Sequence, residues 1–291
     1  MLLIVGLVVV FGSIVVGYTM HGGRIAALVQ ISEFIIIGGA GLGSVLVANP
    51  PSVVAKTFRE IFGLVRGNPY TKARYMELLQ MLYDMFMMAR REGVVALDQH
   101  VERPEESSFF RRYPFFHSNH HALSFLADTM KVMISGSVAT YDLMELMDVD
   151  LETMREEAMR PSHIMAKVAD AMPGFGIVAA VLGVVITMGA IGGPPEEVGH
   201  KVAAALVGTF LGILFSYGIF GPIAAAMEAQ VNSEVQYLSC IKYALLSFGR
   251  GDAPLTGVEF ARRNIEPSVR PTFTEMEETL RSGARATARA A

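Results

Sequence analysis

Four apolar stretches, each near twenty residues long, leave this chain few ways to fold. A helix needs about 20 apolar residues to cross a ~30 Å hydrocarbon core. The stretches fall at 2–18, 28–47, 172–191 and 202–223. The sequence therefore reads as an all-α, polytopic membrane protein with four transmembrane helices. Composition agrees: 52% of the 291 residues are hydrophobic, and mean hydropathy is +0.41, well above that of ordinary soluble domains. The first stretch has no basic leader, and no small-x-small site closely follows it, so it is expected to be a retained span. A single cysteine, Cys240, excludes a disulfide framework or thiolate metal cluster. A net charge of −4 argues against nucleic-acid binding by the chain as a whole.

The basic residues set the expected orientation. Of 24 Lys and Arg residues, 22 lie in 49–170 and 228–291, and the two short connections hold only Arg24 and Lys201. The positive-inside rule places both large segments and both termini in the cytoplasm, with the short turns outside. The expected division is 1–48 for transmembrane helices 1 and 2, 49–170 for a cytoplasmic helical domain, 171–227 for channel-forming helices 3 and 4, and 228–291 for a cytoplasmic helix and tail. In 70–93, Tyr75, Leu78, Leu79, Leu82, Met85, Phe86 and Ala89 recur at helical spacing, with Gly93 as a stop. Residues 122–136 and 142–160 read as further helices. The last ten, "SGARATARAA", read as disordered.

Span four, "VGTFLGILFSYGIFGP" (207–222), is uncharged yet rich in glycine and hydroxyls. Thr209, Gly212 and Ser216 share one face, as do Ala180, Gly183 and Thr187 on span three. Two readings fit: close helix packing through small residues, with Gly208 and Gly212 as a GxxxG pair, or the lining of a narrow polar path. Spans three and four carry no carboxylate, which an ion-handling membrane protein usually keeps. Asp170 lies at the inner edge of span three. Glu33 lies near the outer end of span two, where it is expected to snorkel to the surface. Any ion-binding carboxylate would then come from a partner. Pro173 and Pro222 at the inner ends fit either helix termination or a pair of hinges.

"MPGFGIVAAVLGVV" (172–185) and "VGTFLGILFSYGIFGPIA" (207–224), with "VGYTMHGG" (16–23), "GAGLGS" (39–44), "YTKARYMELL" (70–79), "ISG" (134–136) and "RPTFTEMEE" (270–278), resemble the MotA family of bacterial flagellar motor stator proteins. That family belongs to the MotA/TolQ/ExbB proton-channel superfamily. The resemblance runs nearly end to end and is to the long, proton-type branch. It implies five copies in the inner membrane around two copies of a MotB-like, single-span, peptidoglycan-anchored partner. The partner's aspartate would take protons near Thr209, and the ring would turn the rotor protein FliG. It further implies that Ala180, Thr209 and Tyr217 line the partner-facing channel, with Thr187 and Ser216 on the same stripes. Pro173, Pro222 and Asp170 would couple or hinge, and Arg90, Asp98 and Asp150 would engage the rotor. Asp98 stands where the family often has glutamate, which shortens its reach. No cofactor beyond the translocated proton is implied.

Other readings carry less. His117, His120 and His121 are spaced as metal ligands could be, but no cysteine or nearby carboxylate completes a set, and no metal is expected. "RPEESSFFRRYPFF" (103–116) mixes aromatic and basic residues as single-strand binders do, yet it sits in an acidic insertion and fits a membrane-proximal or subunit contact. No hydrolytic triad, phosphate loop or catalytic carboxylate pair appears, so the chain is not read as an enzyme. The alternatives are an energiser of outer-membrane processes like ExbB and TolQ, against which four spans argue, and a non-conducting membrane scaffold.

Overall fold

The structure is a computed structural model that describes the backbone of residues 2–136 and 138–290 and the side chains of 3–136 and 138–282. In chain order the helices are α1 (Leu2–Met20), α2 (Ile25–Leu28), α3 (Ile31–Ala48), α4 (Pro51–Gly63), α5 (Lys72–Glu92), α6 (Asp98–Glu102), α7 (Pro114–Ser118), α8 (His120–Ser135), α9 (Thr140–Met188), α10 (Pro195–Phe215), α11 (Gly221–Gly249), α12 (Pro254–Asn264) and α13 (Phe273–Ala290). No strand occurs among the described residues. Four helical segments are long and apolar enough to cross a membrane: Leu3–Met20, Ile25–Ala48, Thr140–Met188 and Pro195–Gly249. The tail expected to be disordered falls at the end of α13 and beyond it, and from residue 283 its side chains lie outside the described residues.

The chain divides into two compact units, Met1–Gly67 with Ala158–Gln230, and Asn68–Glu157 with Val231–Ala291. In the first, Ile37 of α3, Met172 and Ala179 of α9, and Val207 and Leu211 of α10 form one buried cluster. Leu64, Met165, Ile223, Ala224 and Met227 form another. Ser162 of α9 donates to the Ala224 carbonyl of α11 at 3.0 Å beside that second cluster.

Neither proline ends a helix, so the termination reading is set aside. Pro161 and Pro173 both lie inside α9, which also absorbs the helix expected at 142–160. A proline removes one backbone donor, and a helix packed on both sides of it can carry that loss. Before Pro222 the chain makes a π-helical turn, Ser216–Phe220, and then continues as α11. The wider turn moves the preceding carbonyls out of register with the proline ring.

In the second unit the α5 face is buried as its spacing predicts: Tyr75, Leu78, Leu79, Leu82, Met85, Phe86 and Ala89. It packs in one core with Phe125 and Leu126 of α8 and Tyr237, Ile241 and Leu245 of α11. Phe86 stacks on Phe248 at 4.6 Å, a contact worth about 1 kcal/mol beyond its buried area. Gly93 (φ +88) ends α5 and Gly136 (φ +64) ends α8, conformations that a side chain would strain. Asn119 caps α8 by accepting the Ala122 N–H at 3.1 Å.

Candidate functional site

The small residues of spans three and four are consumed first by packing within the chain. A methyl placed on Gly176 would lie 2.9 Å from the Gly208 carbonyl oxygen and 3.0 Å from the Gly212 Cα. One on Gly183 would lie 2.7 Å from the Ala205 Cβ. The α9 and α10 backbones are therefore in near contact, as small residues permit in lipid, where van der Waals packing drives association.

This close approach sorts the candidate residues. Thr187 is 5% exposed and donates to the Gly183 carbonyl of its own helix at 2.7 Å. Ser216 is 3% exposed, at the start of the π-helical turn. Both are covered by the chain itself, because their stripe is the packing face. Ala180 and Thr209 are half-buried and keep an open side. Tyr217 is 75% exposed. Pro222 and Asp170 are exposed, and Pro173 is half-buried.

Glu33 departs from its expected place. It is 5% exposed and does not reach the surface. Its Oε2 occupies the space that a side chain on Gly208 would fill: a Cβ there would lie 2.7 Å from Glu33 Oε2, 3.0 Å from the Ala179 Cβ and 3.2 Å from the Ala180 nitrogen. That Oε2 has no hydrogen-bond partner among the described residues. Glu33 is the third residue of α3, but α10 begins thirteen residues before Gly208. The carboxyl thus meets α10 well along its length, next to Thr209. The apolar run alone could not reveal this, because it carries no information on how far one helix is offset along another. The lone acid in an apolar stretch was the available signal.

In the second unit, Arg90 at the end of α5 and Asp98 at the start of α6 flank the Gly93 turn. Both are exposed, and neither forms an ion pair among the described residues. Asp150 is half-buried, and burial, with the Asp128 charge adding, pushes its carboxyl above the usual range. Carboxylates do stand beside the histidines, contrary to the sequence expectation, but Glu105 serves His120 and Glu234 serves His121. His117 Nε2 bonds the Glu105 carbonyl at 2.9 Å, His120 lies 3.6 Å from the Glu105 carboxylate, and His121 pairs with Glu234 at 2.8 Å. No group of three or more candidate metal ligands gathers among the described residues. In the 103–116 stretch, Arg112 lies over the Phe109 ring at 4.8 Å, while Phe109, Phe110, Tyr113 and Phe116 are buried in the core. Those aromatic rings are thereby committed to the fold, and none is left to stack on bases.

A glycine-packed pair of membrane helices with a hydroxyl and a buried carboxyl between its neighbours is the architecture of an ion-channel subunit. Residues 117–239 match the MotA/TolQ/ExbB proton channel family, and residues 4–93 match the Motility protein A N-terminal model. Motility protein A of Salmonella typhimurium is 40% identical over 97% of this chain and 96% of its own length. Among solved structures, C. jejuni MotAB covers 93% of this chain and 98% of its own, at a TM-score of 0.76 and 19% identity. The flagellar MotAB stator complex from Bacillus subtilis covers 91% of this chain and 94% of its own, at 0.71 and 22%. The chain belongs to the Motility protein A family.

Proposed function

We propose that this chain is the membrane subunit of a flagellar stator, converting a proton gradient into torque and so driving motility. Residues 1–48 and 171–227 would lie in the bacterial inner membrane, and 49–170 and 228–291, with both termini, in the cytoplasm. The observation that carries the reading is the α9–α10 pair. Its glycines close one face, while Ala180 and Thr209, next in sequence to Ala179 and Gly208 at the Glu33 seat, are half-buried and keep an open side. That open side fits the helix of a MotB-like partner bearing an aspartate, which takes and releases protons at the level of Thr209. Desolvation of a carboxylate in this setting is costly, so protonation changes its energy steeply. Val181, Val185 and Ile186 point away from the chain, which suits lipid and neighbouring copies in a ring of five around two partner chains. Tyr217, with its ring exposed, would face the same partner. Thr187 and Ser216, which the chain itself covers, would shape that channel from behind. Pro173, Pro222 and Asp170 stand at the inner membrane edge, where a change in the bundle would pass outward. Arg90, Asp98 and Asp150 are the proposed contacts with the rotor protein FliG. The translocated proton is the only cofactor this mechanism uses, and no covalent catalysis is involved.

The test is motility in a host whose own stator genes are deleted. Motionless filaments, set turning by this gene together with its partner, are the expected result. Unchanged paralysis, with both chains present in the membrane, would overturn the reading. Restored uptake across the outer membrane would then favour the ExbB/TolQ-like alternative.

A further inference from the structure

We propose that Glu33 is a proton-binding relay carboxylate of this chain, loaded from a pocket at the outer end of α10 and discharging beside Thr209. The proposal rests on the stator reading and adds a second acid to it, supplied by the chain itself.

Three observations meet at this residue. The first is the seat. Glu33 is 5% exposed, and its Oε2 fills the place left by the absent side chain of Gly208, against Ala179. The second is that this oxygen has no hydrogen-bond partner among the described residues. A buried polar group left unpaired costs free energy, and an intramembrane acid is by default a functional one. The third is access. A pocket of about 560 Å³ is lined by Gln30, Glu196, Glu197, His200, Lys201 and Ala204, among others. Gln30 precedes Glu33 by three residues, and Ala204 precedes Gly208 by four. Each is one helical turn, about 5–6 Å, from the carboxyl's seat. The pocket therefore lies about one helical turn outward of the buried acid.

The titratable groups on the elements around Glu33 are few. α9 carries no titratable group from Ala171 to Met188. On α10, Glu196, Glu197, His200 and Lys201 lie in the first two turns, and none follows. α1 offers only Tyr18, with His21 and Arg24 in the turn after it, and α4 holds Lys56, Arg59 and Glu60 at the far end of α3. Among the described residues Glu33 forms no ion pair. In the relay, the carboxylic acid gives its proton to the partner's carboxylate on the open side of Thr209. The resulting Glu33 carboxylate takes a proton from hydronium in the pocket, leaving water there. The partner's acid then releases its proton to water on the inner side, so one proton has moved inward and both acids end as they began.

The experiment uses the full chain with its partner in the stator-deleted host, reading bead rotation at low load against external pH and co-purification of the two chains. Glu33→Gln keeps the shape and removes the titration. The expected result is normal assembly with rotation slowed about tenfold or more, and with Glu33→Asp partly restoring speed at a shifted external-pH profile. Glu33→Gln turning at wild-type speed across the pH range would overturn the relay. If Glu33→Gln fails to accumulate, Glu33→Asp decides: an altered pH profile supports the relay, and a wild-type profile overturns it. Paralysis with the wild-type gene would instead overturn the stator reading, and the relay with it.

Discussion

Gly176 and Gly212 meet across α9 and α10 with so little room that a methyl on Gly212 would lie 2.8 Å from the Gly176 Cα and 2.6 Å from the Met172 carbonyl oxygen. Both obstacles are backbone and cannot swing aside. Gly212→Ala is expected to destabilise the helix pair by about 1–3 kcal/mol, the range for forced overpacking, and to lower the amount of chain in the membrane. Gly38→Ala is the control, since nothing lies within 4 Å of its Cβ position. Equal accumulation of the two variants would contradict the contact.

Thr209 and Thr187 separate a partner-facing hydroxyl from a packing one. Thr187 already satisfies its hydroxyl on its own helix, so Thr187→Val should leave rotation near wild type. Thr209→Val should retain the partner in pull-downs yet slow low-load rotation about fivefold, the weight of one hydrogen bond of about 1 kcal/mol. Wild-type speed in Thr209→Val would remove its hydroxyl from the proton path.

Arg90 and Asp98 are exposed and form no ion pair among the described residues, so reversing them should not disturb the fold. Arg90→Glu and Asp98→Lys are each expected to abolish most swimming while membrane levels and partner binding stay normal. Rescue by an opposite charge reversal on the rotor protein would identify the contact. Undiminished swimming in both variants would remove these residues from the rotor surface.

His100 gives the second unit a pH dependence. Burial, then the nearby Arg112 charge, lowers its imidazole below the usual 6.5. The Ser107 hydroxyl lies 3.0 Å from Nδ1 and already accepts the Phe110 N–H at 3.3 Å, leaving its proton for a neutral ring. The unfolded chain therefore binds the proton more readily than the folded one. This contribution is fully present above pH 6.5 and is lost as pH falls through the folded value. Melting midpoints of the solubilised protein between pH 7.5 and 5.5 should fall more steeply for wild type than for His100→Gln. Parallel curves would exclude His100 as the source.

Glu275 works in the opposite part of the scale. Its Oε2 accepts the Thr272 N–H at 2.7 Å, and Thr272 Oγ1 accepts the Glu275 N–H at 3.2 Å, a reciprocal cap on α13. Lys72 lies 2.8 Å from its Oε1. That bond first, and the Thr272 contacts next, hold the carboxyl at about 2 against a usual 4.5. Its stabilisation is present above pH 4.5 and lost as pH falls toward about 2. Because the pair is exposed, salt should weaken the Lys72 share. Glu275→Gln should flatten the acid limb of the melting curve below pH 4.5, and an unchanged limb would contradict the assignment.

The spans were legible because apolar runs announce themselves one residue at a time. So was the α5 face, whose 3.6-residue period needs no partner to be read. The α9–α10 stripe was visible as small residues, but whether it packed or lined a path depended on what Gly208 and Gly212 faced. Glu33 was misplaced for the same reason: its depth follows from the stagger of α3 against α10, which is set by contacts between segments some 170 residues apart. Pro222 left two readings open because a local rule for ending helices can be outweighed by a wider turn placed just before the proline.

That wider turn has a consequence for how the chain is counted. A π-helical turn takes in one residue more than an α-turn, so the face presented by residues before Ser216 is not continued by the same spacing after Phe220. A helical wheel drawn straight through 207–230 assigns the second half to the wrong side by roughly a quarter turn. Labelling of single cysteines along that stretch would trace two sine waves of equal period with a phase slip between them, and the slip would mark the place where the helix changes step.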